Sequence, residues 1–146
     1  MTTLNIYLNF DGDCEAAFNF YETCFGTEIA MLSRFNEMPP QEGMPPIPED
    51  HLNRIMHVTL PISQEAVLMG SDTGGGWTPD FKQGNNFSIS IGIDTVAEAD
   101  HLFNALAQGG NITMPMDNTF WGSYFGMLTD KFGINWMVSV ELSGKG

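Results

Sequence analysis

The chain has 146 residues, 42% apolar and 12% aromatic, enough for one domain or for two half-domains sharing a core. Eighteen acids stand against five bases (Arg34, Arg54, Lys82, Lys131, Lys145), a formal charge of −13. Five scattered bases cannot build the surface that a phosphate backbone or an acidic membrane requires, so neither nucleic acid nor membrane is an expected partner.

Leu4, Ile6, Leu8 and Phe10 alternate with Asn5, Tyr7 and Asn9, the period of a strand with one apolar face. Asp11-Gly12-Asp13 breaks it, with Asp13 as a helix N-cap. Ala17, Phe20, Tyr21 and Cys24 then recur at helical spacing up to Gly26, and a second strand is expected around residues 28–35. Cys14 and Cys24 lie ten residues apart on this helix. At about 1.5 Å rise per residue they are about 15 Å apart, too far to bridge, which fits a reducing compartment.

Residues 36–53 form a long loop containing Pro39, Pro40, Pro45, Pro46 and Pro48. A loop of this kind serves as a lid or an interface arm, or has no fixed structure. Strands resume at 54–62 and 66–71 as a hairpin, and Gly74-Gly75-Gly76 with Pro79 marks a crossover.

The second half repeats the order. Phe87, Ile89, Ile91 and Ile93 alternate with Asn86, Ser88, Ser90 and Gly92. Thr95-Val96-Ala97-Glu98 is a capping box, and Ala99, Leu102, Phe103 and Leu106 form the buried stripe of a helix stopped by Gly109-Gly110. Strands follow at 111–116, 123–129 and 134–142, the last two joined by the tight turn Asp130-Lys131-Phe132-Gly133. Asp11 matches Asp94 and Gly26 matches Gly109, both 83 residues apart. The expected fold is therefore α+β: two tandem βαβββ units, about 1–75 and 85–143, forming one curved mixed sheet around a cavity within a single domain.

The cavity is read from the second alternating set on each strand. Tyr7, Asn9, His57, Thr59, Ser88, Ser90, Met137 and Ser139 are polar or flexible without being charged, as a partly wet pocket lining would be. Met69 and Met137 fall on this set, whereas Met31 and Met56 are expected in the core. No run of 18 uncharged apolar residues occurs, and residues 1–5 show no export signal, so the cytoplasm is the expected location.

Several stretches carry a family resemblance. They are Tyr7-Leu8-Asn9-Phe10, Ala17-Phe18-Asn19-Phe20-Tyr21, Ile55-Met56-His57 and, above all, the run from Thr119-Phe120-Trp121-Gly122 to Asn135-Trp136-Met137-Val138. With the paired βαβββ order, they resemble the vicinal oxygen chelate superfamily (glyoxalase I, bleomycin-resistance proteins, extradiol dioxygenases), and within it the PhnB-like branch. Some members of that branch carry a ubiquinone-pathway methyltransferase label, but no glycine-rich nucleotide-binding turn accompanies it here. The resemblance implies four inward metal ligands, usually His and Glu, that polarise vicinal oxygens of a substrate. The matching positions are Asn5 to Tyr7, Met69, Ser88 and Met137, none an ordinary ligand for a hard metal or zinc.

The sequence thus leads to a small apolar or planar ligand bound without a cofactor, in a protein that the resemblance implies is a homodimer. The expected contacts are Tyr7, His57, Met69, Ser88, Trp121, Tyr124, Phe125 and Met137, with no catalytic residue assigned. His57 is the candidate hydrogen-bonding group or base. Trp136 either stacks on the ligand or fills the core, and Asp130 is a turn residue. The alternative is a divalent-metal-dependent lyase, isomerase or dioxygenase with substitute ligands, for which Glu141 is a candidate carboxylate. A purely structural or protein-binding module is the third reading.

Overall fold

The computed structural model describes residues 2–39, 42–43, 46–73 and 81–142. The expected crossover at Gly74–Gly76 and Pro79, and the prolines Pro40 and Pro45, lie outside these residues. The chain divides into two compact units between Lys82 and Gln83. Each has the order βαβββ: β1 (Ile6–Phe10), α1 (Cys14–Phe25), β2 (Met31–Arg34), β3 (Ile55–Pro61) and β4 (Val67–Asp72), then β5 (Ile89–Ile93), α2 (Val96–Ala107), β6 (Asn111–Asn118), β7 (Ser123–Thr129) and β8 (Asn135–Glu141). Hydrogen bonding divides the strands into two four-stranded mixed sheets, one per unit, ordered β1-β4-β3-β2 and β5-β8-β7-β6. The first strand of each unit runs parallel to the last, and the other neighbours are antiparallel.

In the first unit, one sheet face packs on α1. Leu8, Phe10, Val58, Leu60 and Leu68 meet Cys14, Ala17, Phe18, Tyr21 and Cys24, all buried. Phe18 lies directly over Gly70, where an added Cβ would fall 2.7 Å from the ring and 2.9 Å from the Leu8 carbonyl. The helix can therefore sit this close only above a glycine. Phe18, not the expected Phe20, is the stripe residue, because the buried face runs 14, 17, 18, 21, 24 and leaves Phe20 at its margin. Leu4 precedes β1 and is 97% exposed, so the apolar face of that strand reduces to Leu8 and Phe10. Met31, expected in the core, is exposed on edge strand β2.

The cap of α1 also differs from expectation. Asp13 occupies the N-cap position but makes no side-chain cap bond. Asp72, at the end of β4, does the capping. Its Oδ1 accepts from the Gly12 and Cys14 amides at 2.8 and 3.0 Å, and its Oδ2 accepts from the Ile55 amide at 2.9 Å. Asp72 is only 4% exposed. Burial pushes the neighbouring Cys14 thiol far up, with the charges of Asp72 and Glu15 adding to the effect. Cys14 and Cys24 are both buried, and no disulfide joins them.

The Pro-rich loop is closed at its base. Asn36 N donates to the Leu52 carbonyl at 2.9 Å and Phe35 N to the Arg54 carbonyl at 3.1 Å. Short 3-10 turns occupy Phe35–Glu37 and Glu49–His51. Arg54 then reaches Asp11 Oδ1 at 2.9 Å and Thr73 Oγ1 at 3.0 Å, while the Thr73 hydroxyl donates to the same Asp11 oxygen at 2.8 Å.

In the second unit Ile89, Leu128, Trp136, Val138 and Val140 pack on Ala99, Leu102, Phe103 and Leu106. Thr95 caps α2 by accepting from the Glu98 amide at 3.1 Å, and its hydroxyl donates to the Glu98 carboxylate at 3.0 Å. Gly26 and Gly109 are both left-handed, with φ of 71° and 75°, as their matching positions after the two helices require. β5 begins at Ile89, two residues later than the alternation suggested. β6 extends to Asn118 with two register shifts, and holds Pro115 on a sheet edge, where its missing donor is harmless. Gly133 N donates to the Asp130 carbonyl at 2.9 Å, closing the expected turn.

Two outcomes test these contacts. Asp72→Ala leaves three amide donors without their acceptor and should lower unfolding free energy by about 3 kcal/mol or more in a urea titration. A loss below about 1 kcal/mol would mean that water replaces the carboxylate. The Asp11 carboxyl is held below its ordinary 3.8, first by the Thr73 hydroxyl and then by Arg54. A lowered folded value adds stability that is complete above about pH 4 and lost as the pH falls through that value. The stability difference between wild type and Asp11→Asn should therefore shrink on acidification; a pH-independent difference would contradict this.

Candidate functional site

The helix covers one face of each sheet, and cross-strand register partners share a face. The opposite face of each sheet can therefore be read directly from the pairing. In the first unit, Tyr7 pairs with Met69, Met69 with Thr59, and Thr59 with Met31. Asn9 pairs with Ser71, and Ser33 with His57. This face carries hydroxyls, an imidazole and thioethers, while the aliphatic side chains lie beneath α1.

His57 is held at both ring nitrogens. Nδ1 lies 3.3 Å from the Tyr7 hydroxyl and Nε2 lies 2.9 Å from Thr59 Oγ1. The Tyr7 and His57 rings are 5.6 Å apart, tilted by 41°. A neutral imidazole satisfies this arrangement in either tautomer, since each hydroxyl can donate or accept. An imidazolium satisfies it by donating to both. Ser33 Oγ, beside His57 in register, is buried and has no hydrogen-bond partner among the described residues.

In the second unit, Ser90 pairs with Met137, Met137 with Met127, and Met127 with Met114. The next row is Gly92, Ser139, Phe125 and Asp117. Trp121, in the turn before β7, sets its ring 5.8 Å from Phe125 at 67°, and Phe120 packs edge-on against Trp121 at 5.0 Å. Both Phe120 and Trp121 are exposed.

The expected contacts therefore separate. Tyr7, His57 and Met69 come together on the first sheet. Phe125 and Met137 share the helix-free face of the second, with Trp121 against Phe125. Tyr124 does not join them, because its odd–even position turns it to the helix side. There its hydroxyl donates to Asp100 Oδ1 of α2 at 2.7 Å. Ser88 lies before β5, exposed, and Ser90 is the residue beside Met137. The 83-residue offset that relates Asp11 to Asp94 also relates Tyr7 to Ser90, so the sequence held the signal for Ser90. Thr59 and Ser139 were likewise marked by strand parity, and Met127 joins them as the register partner of Met137. Trp136 is a core residue, donating from Nε1 to Asp130 Oδ2 at 2.8 Å. His101 is exposed on α2, and Glu141 pairs with Ser123 at the exposed end of β8.

Among the described residues, no three His, Cys, Asp or Glu side chains gather closely enough to hold a metal ion. At the positions where the resemblance would place ligands stand Tyr7 and Met69 in the first unit and Ser88 and Met137 in the second. Neutral hydroxyls and thioethers do not suit a hard or borderline dication, so no chemical step is derived through one.

A model of the family described as 3-demethylubiquinone-9 3-methyltransferase matches residues 2–139. The chain belongs to this family. Protein YjdN of Escherichia coli (strain K12) is 30% identical over 142 residues, covering 94% of each chain. Protein PA1353 from Pseudomonas aeruginosa has a solved structure with a TM-score of 0.82, at 38% identity over 97% of this chain and 98% of its own. A putative 3-demethylubiquinone-9 3-methyltransferase, PhnB protein, from Bacillus cereus has a TM-score of 0.73, at 28% identity over 95% and 99%. The fold persists at 13% identity in a glyoxylase/bleomycin resistance protein/dioxygenase domain from Frankia, with a TM-score of 0.68 and coverage of 99% and 94%. The chain is therefore a PhnB-like protein with the fold of a glyoxylase/bleomycin resistance protein/dioxygenase domain. The two strand-to-helix turns of this PhnB-like chain, at Asp11–Asp13 and Asp94–Thr95, contain a single glycine.

The placement of Tyr124 has a spectroscopic consequence. Its hydrogen bond to Asp100 holds the phenol's ionisation above the ordinary value of 10.0. The raised value adds stability that is complete below about pH 10 and lost as the pH rises through it. Tyr124→Phe should remove from an ultraviolet pH titration one phenol that ionises above the ordinary value, and leave binding to the helix-free face unchanged. A loss of ligand binding in that variant would return Tyr124 to the site.

Proposed function

We propose that this PhnB-like protein binds a small apolar or planar molecule on its helix-free sheet faces, as a homodimer and without the four-ligand metal centre of its superfamily. The observation that carries the reading is what stands on each helix-free face: Tyr7 beside Met69 in the first unit and Ser90 beside Met137 in the second. Thioethers adapt to flat apolar shapes and make favourable contacts with aromatic rings, and hydroxyls orient a polar substituent. The exposed Trp121 against Phe125 adds an aromatic contact of the same kind.

Methyl transfer, the activity in the family's description, needs a methyl donor, so the test includes S-adenosylmethionine as well as divalent metals and planar aromatics. In a thermal-unfolding screen, a planar aromatic ligand at 100 times its dissociation constant should add about 2.7 kcal/mol. Metals and S-adenosylmethionine should add nothing. Stoichiometric metal in the purified protein that is lost on His57→Ala or Met137→Ala would overturn the metal-free reading. Sedimentation analysis of the same sample checks the dimer.

A further inference from the structure

The first unit's sheet carries a proton path as well as an apolar surface. We propose that Tyr7, His57 and Thr59 form a proton relay that makes this face selective for a planar weak acid, a phenol or enol, which arrives neutral and is held as its anion. This rests on the planar-ligand reading above and narrows it to a chemical class.

The charge distribution selects this class. The protein carries a formal charge of −13, which repels a preformed anion at a distance. Both arginines of the first unit are already engaged by carboxylates: Arg34 makes two bonds to Glu15, at 3.0 and 2.8 Å, and Arg54 bonds Asp11 at 2.9 Å. Of the described side chains that the register puts on this face, His57 alone is basic. It becomes a cation only by gaining a proton. A ligand that brings its own proton thus supplies the countercharge for the anion it leaves behind.

The geometry gives the route. The Tyr7–His57 contact, at 3.3 Å, is the loose end of the relay, and the His57–Thr59 contact, at 2.9 Å, is the tight one. Tyr7 is 44% exposed, so its hydroxyl is the accessible terminus. The ligand O–H donates to Tyr7 Oη as the Tyr7 proton passes to His57 Nδ1. Nε2–H continues to donate to Thr59 Oγ1. A neutral acid and a neutral imidazole become an anion and an imidazolium, with Tyr7 again a neutral phenol donating to the bound oxyanion. Charge and protons balance, and no other reactant is needed. Met69, the register neighbour of both Tyr7 and Thr59, provides the apolar contact for the ring.

The test uses 4-nitrophenol and its methyl ether 4-nitroanisole, which lacks the acidic proton, in a buffer at about pH 6.5, where most free nitrophenol is neutral and an ordinary imidazole is about half neutral. The phenol should bind at least about tenfold more tightly than the anisole, a difference of about 1.4 kcal/mol. Its bound form should show the visible absorption of the phenolate. Tyr7→Phe and His57→Gln should each abolish that absorption and bring the phenol-to-anisole affinity ratio down to about one, with circular dichroism reporting that the variants are folded. Equal binding of the two probes, a neutral bound spectrum, or variants that retain the phenolate would overturn the relay and leave planar binding standing. Failure of both probes to bind would overturn the planar-ligand reading together with the relay.

Discussion

A carboxylate taken out of water has to be met by hydrogen bonds, and each unit is organised around one that is. Asp72 accepts three amides from two segments far apart in sequence: Gly12 and Cys14 at the start of α1, and Ile55, the first residue of β3. Asp130 accepts the Phe132 and Ile134 amides and the Trp136 indole. Both carboxylates are almost fully buried. Backbone donors at a helix start or a tight turn have no partner of their own, and a charged acceptor satisfies several at once. These two residues therefore fix where the helix begins in one unit and where the last hairpin turns in the other. Through them they set the strand register on which the helix-free faces depend.

That register decides the chemistry each face offers. Packing on the helix side takes up the branched aliphatics, with Gly70 beneath Phe18 and Gly126 beneath Phe103 allowing close approach. The other face is released from core packing and holds thioethers, hydroxyls and a single imidazole. In the first unit these side chains are wired to one another, from Tyr7 through His57 to Thr59. In the second they are softer: three methionines in a cross-strand row, next to Phe125 and Trp121. Two units of the same topology therefore present different surfaces, one polar with a proton path and one apolar and pliable.

Much of this was legible in the chain. Strand alternation, the capping box at Thr95, the glycines at 26 and 109 and the 83-residue offset identified both βαβββ units and most of the helix-free face. These signals are local, because periodicity and capping depend on residues a few positions apart. The failures share one cause. Asp13 looked like the cap of α1, but a carboxylate 58 residues beyond Cys14 does the capping. Tyr124 looked like a ligand contact beside Phe125, but adjacent strand residues point to opposite faces, and Asp100 claims its hydroxyl.

The sequence by itself determined the element order, the paired architecture and the family. Each of these follows from residue identity and short spacing. Only the tertiary structure decided which hydroxyl meets which histidine nitrogen, and that Asp72 ties the β1–α1 turn to the start of β3. Those contacts are set by strand pairing between residues up to 62 positions apart, as between Tyr7 and Met69, and no local pattern encodes that register.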